Sequence, residues 1–122
     1  MVPMKRIFLF AVAVLLLNAC AVQAPQHSPS GPVGVLMAQA DQQAAKGEQA
    51  QAIALLERAV RIEPRNAHAW LRLARLHFSA GDLNKAQQFA RRAKQFAGAD
   101  TRLKRECQAL LDKVSQKLNA IG

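Results

Sequence analysis

The residues able to do chemistry are few and scattered. There are three histidines and two cysteines. His68 and His77 lie nine residues apart. On one helix that is two and a half turns, so the two rings point to opposite sides and cannot share a metal ion. His27 sits among prolines and serines and is read as solvated. No Ser/His/Asp or Cys/His set has a spacing that would make a nucleophile, and the glycines fall at turns rather than in a phosphate loop. Asp41 and Glu48 are a sparse acidic presence, read as solvated or capping groups. The residues point away from an enzyme, a metal site or a bound cofactor. The cysteines therefore carry the first question, and Cys20 above all.

Cys20 closes the opening MVPMKRIFLFAVAVLLLNAC. Lys5 and Arg6 form a short positive region, and Ile7 to Leu17 is an unbroken apolar run of eleven residues. A membrane-spanning helix needs roughly 20 apolar residues, so this run has the length of a signal-peptide core. Translation could begin at Met1 or at Met4, which opens the more usual MKR. Leu17-Asn18-Ala19-Cys20 resembles the bacterial lipobox, with an aliphatic residue at −3, a small one at −1 and Cys at +1; Asn18 departs from the usual small or aliphatic residue at −2. The resemblance implies that residues 1–19 are a lipoprotein signal peptide. It implies also that Cys20 becomes the first residue of the mature chain, with diacylglycerol on its sulfur and an acyl group on its amine. Several acyl chains anchor stably where one does not. Ala21 in place of Asp at +2 implies the outer membrane, with the domain facing the periplasm from the inner leaflet. An ordinary signal peptide cut near Ala24 is the competing reading. With Cys20 lipidated, only Cys107 remains and the mature chain has no internal disulfide. Cys107 is read as a small buried apolar group.

Residues 20–32 hold Pro25, Pro29, Pro32, Ser28, Ser30 and Gly31, the composition of a tether. From Val33 onward Ala, Leu and charged residues dominate, enough for one small domain. Seventeen Lys and Arg stand against eight Asp and Glu, and only Lys5 and Arg6 of the former precede Cys20. In the cytosol such a charge would suggest nucleic acid. Export argues against that, and favours an anionic membrane surface, the cell wall or an acidic protein.

Laid on itself at an offset of 34, the chain repeats. Ala40 falls on Ala74, Gly47 on Gly81, Ala52 on Ala86, Arg58 on Arg92 and Ala59 on Ala93. Trp70, Leu73, Ala74 and His77 fall at i, i+3, i+4 and i+7, the stripe of an amphipathic helix; His77 is read as a packed core residue. Asn66 and Asp82 are placed to cap helices, and Gly81 to end one. The pattern predicts helices near 34–46, 49–62, 67–80 and 83–97. A fifth, over 101–120, carries the stripe Leu103, Cys107, Leu110, Leu111, Val114 and Leu118, with Asp100 as its cap. The alanines at 40, 52, 59, 74, 86 and 93 let paired helices approach closely.

Trp70-x₂-Leu73-Ala74-x₂-His77, followed by Ala86-x₃-Ala90 and Ala93, resembles the tetratricopeptide repeat (TPR), and Ala40, Ala52-x₃-Leu56, Ala59 and Pro64 give a first copy. Gln39, Gln43, His77, Ala90 and Gly98 depart from the pattern. The resemblance implies an all-α fold, a short TPR-like helical solenoid of two helix-turn-helix repeats, 33–66 and 67–100, closed by a capping helix at 101–122. It implies a concave groove for an extended peptide or partner helix. The groove positions are Met37 and Asp41, then His68, Leu71, Arg75 and Phe78, then Arg102, Arg105 and Asp112. Leu71 and Phe78 would bury an apolar anchor, while Arg75, Arg102 and Arg105 would grip carboxylates. The chain is thus read as a lipid-anchored adaptor for an envelope protein, possessing no cofactor and no nucleic-acid partner. The alternative is a structural lipoprotein whose basic surface contacts anionic lipid or cell wall. Two repeats are fewer than the three usual in such stacks, which leaves room for self-association.

Overall fold

The computed structural model describes residues 31–122. Cys20, the expected signal peptide and most of the expected tether lie outside the described residues. Five helices follow in order: α1 Pro32–Ala45, α2 Gln49–Ile62, α3 Ala67–Ser79, α4 Leu83–Phe96 and α5 Thr101–Ile121. Their ends fall within two residues of the expected ones. Pro32, counted with the tether on composition, is the first residue of α1. Its fixed φ and missing N–H suit that position.

Local sequence starts and stops the helices. Asn66 Oδ1 accepts from the Ala69 N–H at 3.0 Å, Asp82 Oδ1 from Lys85 at 3.2 Å and Asp100 Oδ1 from Leu103 at 2.9 Å. Each satisfies an N–H that the helix leaves unpaired. Glu48, the counterpart of Asp82 in the first repeat, makes no such bond. Its side chain is one methylene longer than the short caps that suit this position. Gly47 and Gly81 turn the chain between paired helices at φ of 79° and 81°, where a side chain would be strained.

The short connections make successive helices antiparallel, and each packs on the next. The small residues sit where the helices touch: Ala52, Ala59, Ala74, Ala86 and Ala93 are all 0% exposed. Around them pack Leu56, Leu73, Trp70, Leu103 and Val114. Trp70 Nε1–H donates to the Pro64 carbonyl at 2.7 Å, pinning the α2–α3 loop. Its ring lies 5.3 Å from that of Phe89, and Arg92 stacks on it at 4.9 Å. Cys107 is fully buried and burial pushes its thiol pKa up, so it is an unreactive packing group. His77 is buried as expected. Its ring meets Phe89 edge-on at 5.3 Å, and its Nε2 has no hydrogen-bond partner. Among the described residues no helix is long and apolar enough to cross a membrane, and none group as a metal site.

The fifth helix closes the stack. It packs mainly on α4 and touches α3 more lightly. Leu103, Cys107, Leu110 and Val114 are turned inward, with Leu111 and Leu118 half-buried beside them.

Candidate functional site

Antiparallel packing lays α1, α3 and α5 along one side, and their facing stripes leave a hollow of about 650 Å³. Helix α1 contributes Ala40, Asp41 and Ala44, and Leu56 reaches the floor from α2. Helix α3 contributes His68, Leu71, Arg72, Arg75 and Leu76; α5 contributes Arg102, Leu103 and Glu106, with Asp100 at its start. The hollow continues along α3 and α5 into a second recess, lined by Phe78, Ser79, Ala109, Leu110 and Lys113, with Arg75 and Glu106 at the join.

The groove's arginines are already paired within the chain. Arg72 Nε donates to both carboxylate oxygens of Asp41, at 3.0 and 3.2 Å. Arg75 donates to Glu106 Oε2 at 2.9 Å, and Arg102 to Glu106 Oε1 at 3.3 Å. One carboxylate therefore bridges two arginines. The hydrogen bond from Arg75 is the main reason the Glu106 pKa is lowered. In the second recess the Lys117 ammonium stands 4.6 Å over the Phe78 ring, a cation–π contact. The groove thus offers an apolar floor, an arginine pair holding a surface carboxylate, and an aromatic ring under a lysine. A peptide carboxylate could replace Glu106 with little change in the charge around the arginines.

Most of the expected positions gather here. His68, Leu71, Arg75 and Arg102 line the first hollow with Asp41, and Phe78 lines the second. Three do not. Met37 is buried against the core. Arg105 lines neither hollow. Asp112 accepts from Gln108, which in turn accepts from Lys94 on α4, so it belongs to the other side of α5. The reason is the rotation of α5. The stripe that faces α3 advances from 102 by four, to Glu106 and on to Lys113, whereas Arg105 and Asp112 lie on the stripe that turns away. Arg72 and Glu106 are absent from the expected set. Both sit four residues beyond a position that is in it, His68 and Arg102, so helical spacing makes them candidates, although it does not by itself choose Glu106 over Arg105.

Comparison with known proteins agrees with the helical-repeat fold. A family model described as Tetratricopeptide repeat matches residues 43–113. No curated protein matches the chain significantly. Among solved structures, the globular C-terminal domain of P. aeruginosa LpoP is similar, with a TM-score of 0.71 and 34% sequence identity over 74% of this chain and 85% of that one. With more than half of its length matched by the family model, the chain belongs to the tetratricopeptide repeat family.

Proposed function

We propose that this protein is a lipid-anchored protein-interaction module of the bacterial cell envelope, with its lipid on Cys20 and a peptide or partner helix in the groove between α1, α3 and α5. The domain binds rather than catalyses. The observation that carries the reading is the Arg75–Glu106–Arg102 bridge beside Leu71 and Phe78. An acidic side chain or chain terminus of the partner takes the place of Glu106 on the two arginines, and an apolar neighbour packs on Leu71 or displaces Lys117 from Phe78. Charge-assisted, two-toothed arginine contacts give such a groove its direction and register. Membership of the repeat family and the likeness to a bacterial protein domain support the reading, and the lipobox-like Leu17-Asn18-Ala19-Cys20 supports the anchor.

The test is in-cell photocrosslinking, with the reactive group at Phe78 in the groove or at exposed Gln95 on α4 outside it. One defined protein adduct from Phe78 and none from Gln95 is the expected result. Equal adducts, or none from Phe78, would remove the groove from consideration. The anchor is tested separately by Cys20→Ser, which should move the protein out of the detergent phase.

A further inference from the structure

We infer that the domain rests on the membrane by the end from which its tether emerges, using a cluster of unpaired cations that binds the phosphates of anionic phospholipids. The inference builds on the proposed anchor at Cys20 and is separate from the groove.

The placement follows from topology. Because the helices alternate in direction, the start of α1, the α2–α3 loop, the end of α4 and the start of α5 share one end of the molecule. Contacts confirm it: Arg65 of the α2–α3 loop stacks on Phe96 at the end of α4 at 5.8 Å, and His68 at the start of α3 shares a hollow with Asp100 and Arg102. The opposite end is marked by Gln49, which donates to the Leu76 carbonyl, and by Lys117 over Phe78.

Charge is divided unequally between the two ends. The tether end carries Arg61, Arg65, Arg91, Lys94, Lys104 and Arg105, all exposed. None is in an ion pair among the described residues. Arg91, Lys94 and Lys104 border one shallow hollow between α4 and α5. The acids at this end are engaged locally: Asp100 caps α5, Glu63 accepts from Asn66 at 2.8 Å, and Glu106 holds Arg75 and Arg102. At the other end Lys85 is paired with Asp82 at 3.7 Å, and only Lys46, Lys113 and Lys117, the last standing over Phe78, are in no ion pair among the described residues, against six such cations at the tether end.

Reach selects lipid as the occupant. The described chain starts at Gly31, so ten residues separate it from Cys20. Ten residues span at most about 35 Å, while a helix of 14 residues is about 21 Å long. A lipid on Cys20 therefore keeps the basic end within reach of the bilayer that holds it. Anionic headgroups attract each nearby Lys or Arg, and the attraction fades within a Debye length. So held, the groove runs away from the membrane and stays open to the periplasm.

The test uses the full chain, purified from membranes and reconstituted into vesicles. A fluorophore is placed through Gln95→Cys near the tether end of α4, or through Asn84→Cys near its other end, about 16 Å away; buried Cys107 stays unlabelled. Energy transfer to an acceptor on the lipid headgroups is then measured. In vesicles containing phosphatidylglycerol, transfer should be greater from position 95 than from 84. The difference should vanish in phosphatidylcholine and in high salt. Arg91→Glu with Lys104→Glu should abolish it, since each lost cation weakens binding about fivefold. Lys46→Glu with Lys85→Glu, an equal change in net charge, should leave it intact. Equal transfer from the two positions in anionic vesicles would overturn the inference, as would equal loss with the second pair. A chain recovered with neither kind of vesicle would overturn the anchor and the docking together. An anchored chain whose labels ignore lipid charge would overturn the docking alone.

Discussion

The groove and the tether end are both rich in arginine, yet they hold it in opposite ways. In the groove Arg72 faces Asp41, and Arg75 and Arg102 share Glu106. At the tether end Arg61, Arg65, Arg91 and Arg105 are in no ion pair among the described residues. A paired arginine is oriented but occupied, and a ligand must exchange with its carboxylate. That exchange favours a ligand of matched geometry. An unpaired surface arginine attracts any polyanion, weakly and at long range, and salt screens it. Net charge alone would treat the two regions as one basic surface. The pairing fits the two proposed roles, a selective site in the groove and a contact surface at the tether end.

The change with the largest expected effect removes both regions at once. Ala74 is 0% exposed, in the seam where α3 meets its neighbours. Ala74→Trp overfills that seam and should cost about 3 kcal/mol or more. Circular dichroism should show the cooperative thermal transition lost or strongly lowered. A normal melt would mean that the repeat register is misplaced, and with it both faces.

Breaking the groove alone should leave the scaffold standing. Arg75→Glu with Arg102→Glu surrounds Glu106 with like charge and should abolish capture of the partner crosslinked at Phe78. Both arginines are exposed and exposed pairs contribute little, so stability should fall by no more than about 1 kcal/mol. Retained capture would move the site elsewhere.

The two repeats offer a finer comparison. Asp82 caps α4, whereas Glu48 at the same place in the first repeat bonds nothing at the start of α2. Asp82→Ala should cost about 1 kcal/mol in a denaturant melt, and Glu48→Ala close to nothing. Equal costs would show that neither the cap nor the contacts of Asp82 with Lys85 and His77 contribute.

Much of the fold was legible because it is written locally. A period of 34, alanines at helix contacts, and Asn66, Asp82 and Asp100 ahead of apolar stripes place five helices without tertiary information. The groove was less legible. Leu71, Arg75 and Phe78 follow from spacing on α3, which both repeats constrain. Helix α5 lies beyond the two copies that an offset of 34 reveals, so its rotation is set by how Leu103, Cys107, Leu110 and Val114 seat on α4. Sequence spacing cannot tell a stripe through Glu106 from one through Arg105. Nor does it show that a carboxylate 31 residues away closes on Arg75. The tether end required both the antiparallel order and the list of ion pairs, neither of which composition supplies.

The smallest effect expected is one of pH, and it separates the core from both charged faces. His77 is buried with its Nε2 unpartnered, and its pKa is lowered from 6.5, first by burial and then by nearby Lys85, against the pull of Asp82 and Glu57. Above about pH 6.5 the ring is neutral whether the chain is folded or not, and it contributes no slope. As pH falls through that value the unfolded chain takes up a proton that the folded ring resists, so stability declines. The decline ends once the folded ring also protonates. Glu106, held below its ordinary range by Arg75, titrates only at more acid pH. His77→Phe keeps the ring packed on Phe89 without a titrating group, and should flatten the dependence of melting temperature on pH just below 6.5 while leaving lipid docking and partner capture unchanged. An unchanged slope in that variant would show that His77 is not the source of the acid sensitivity.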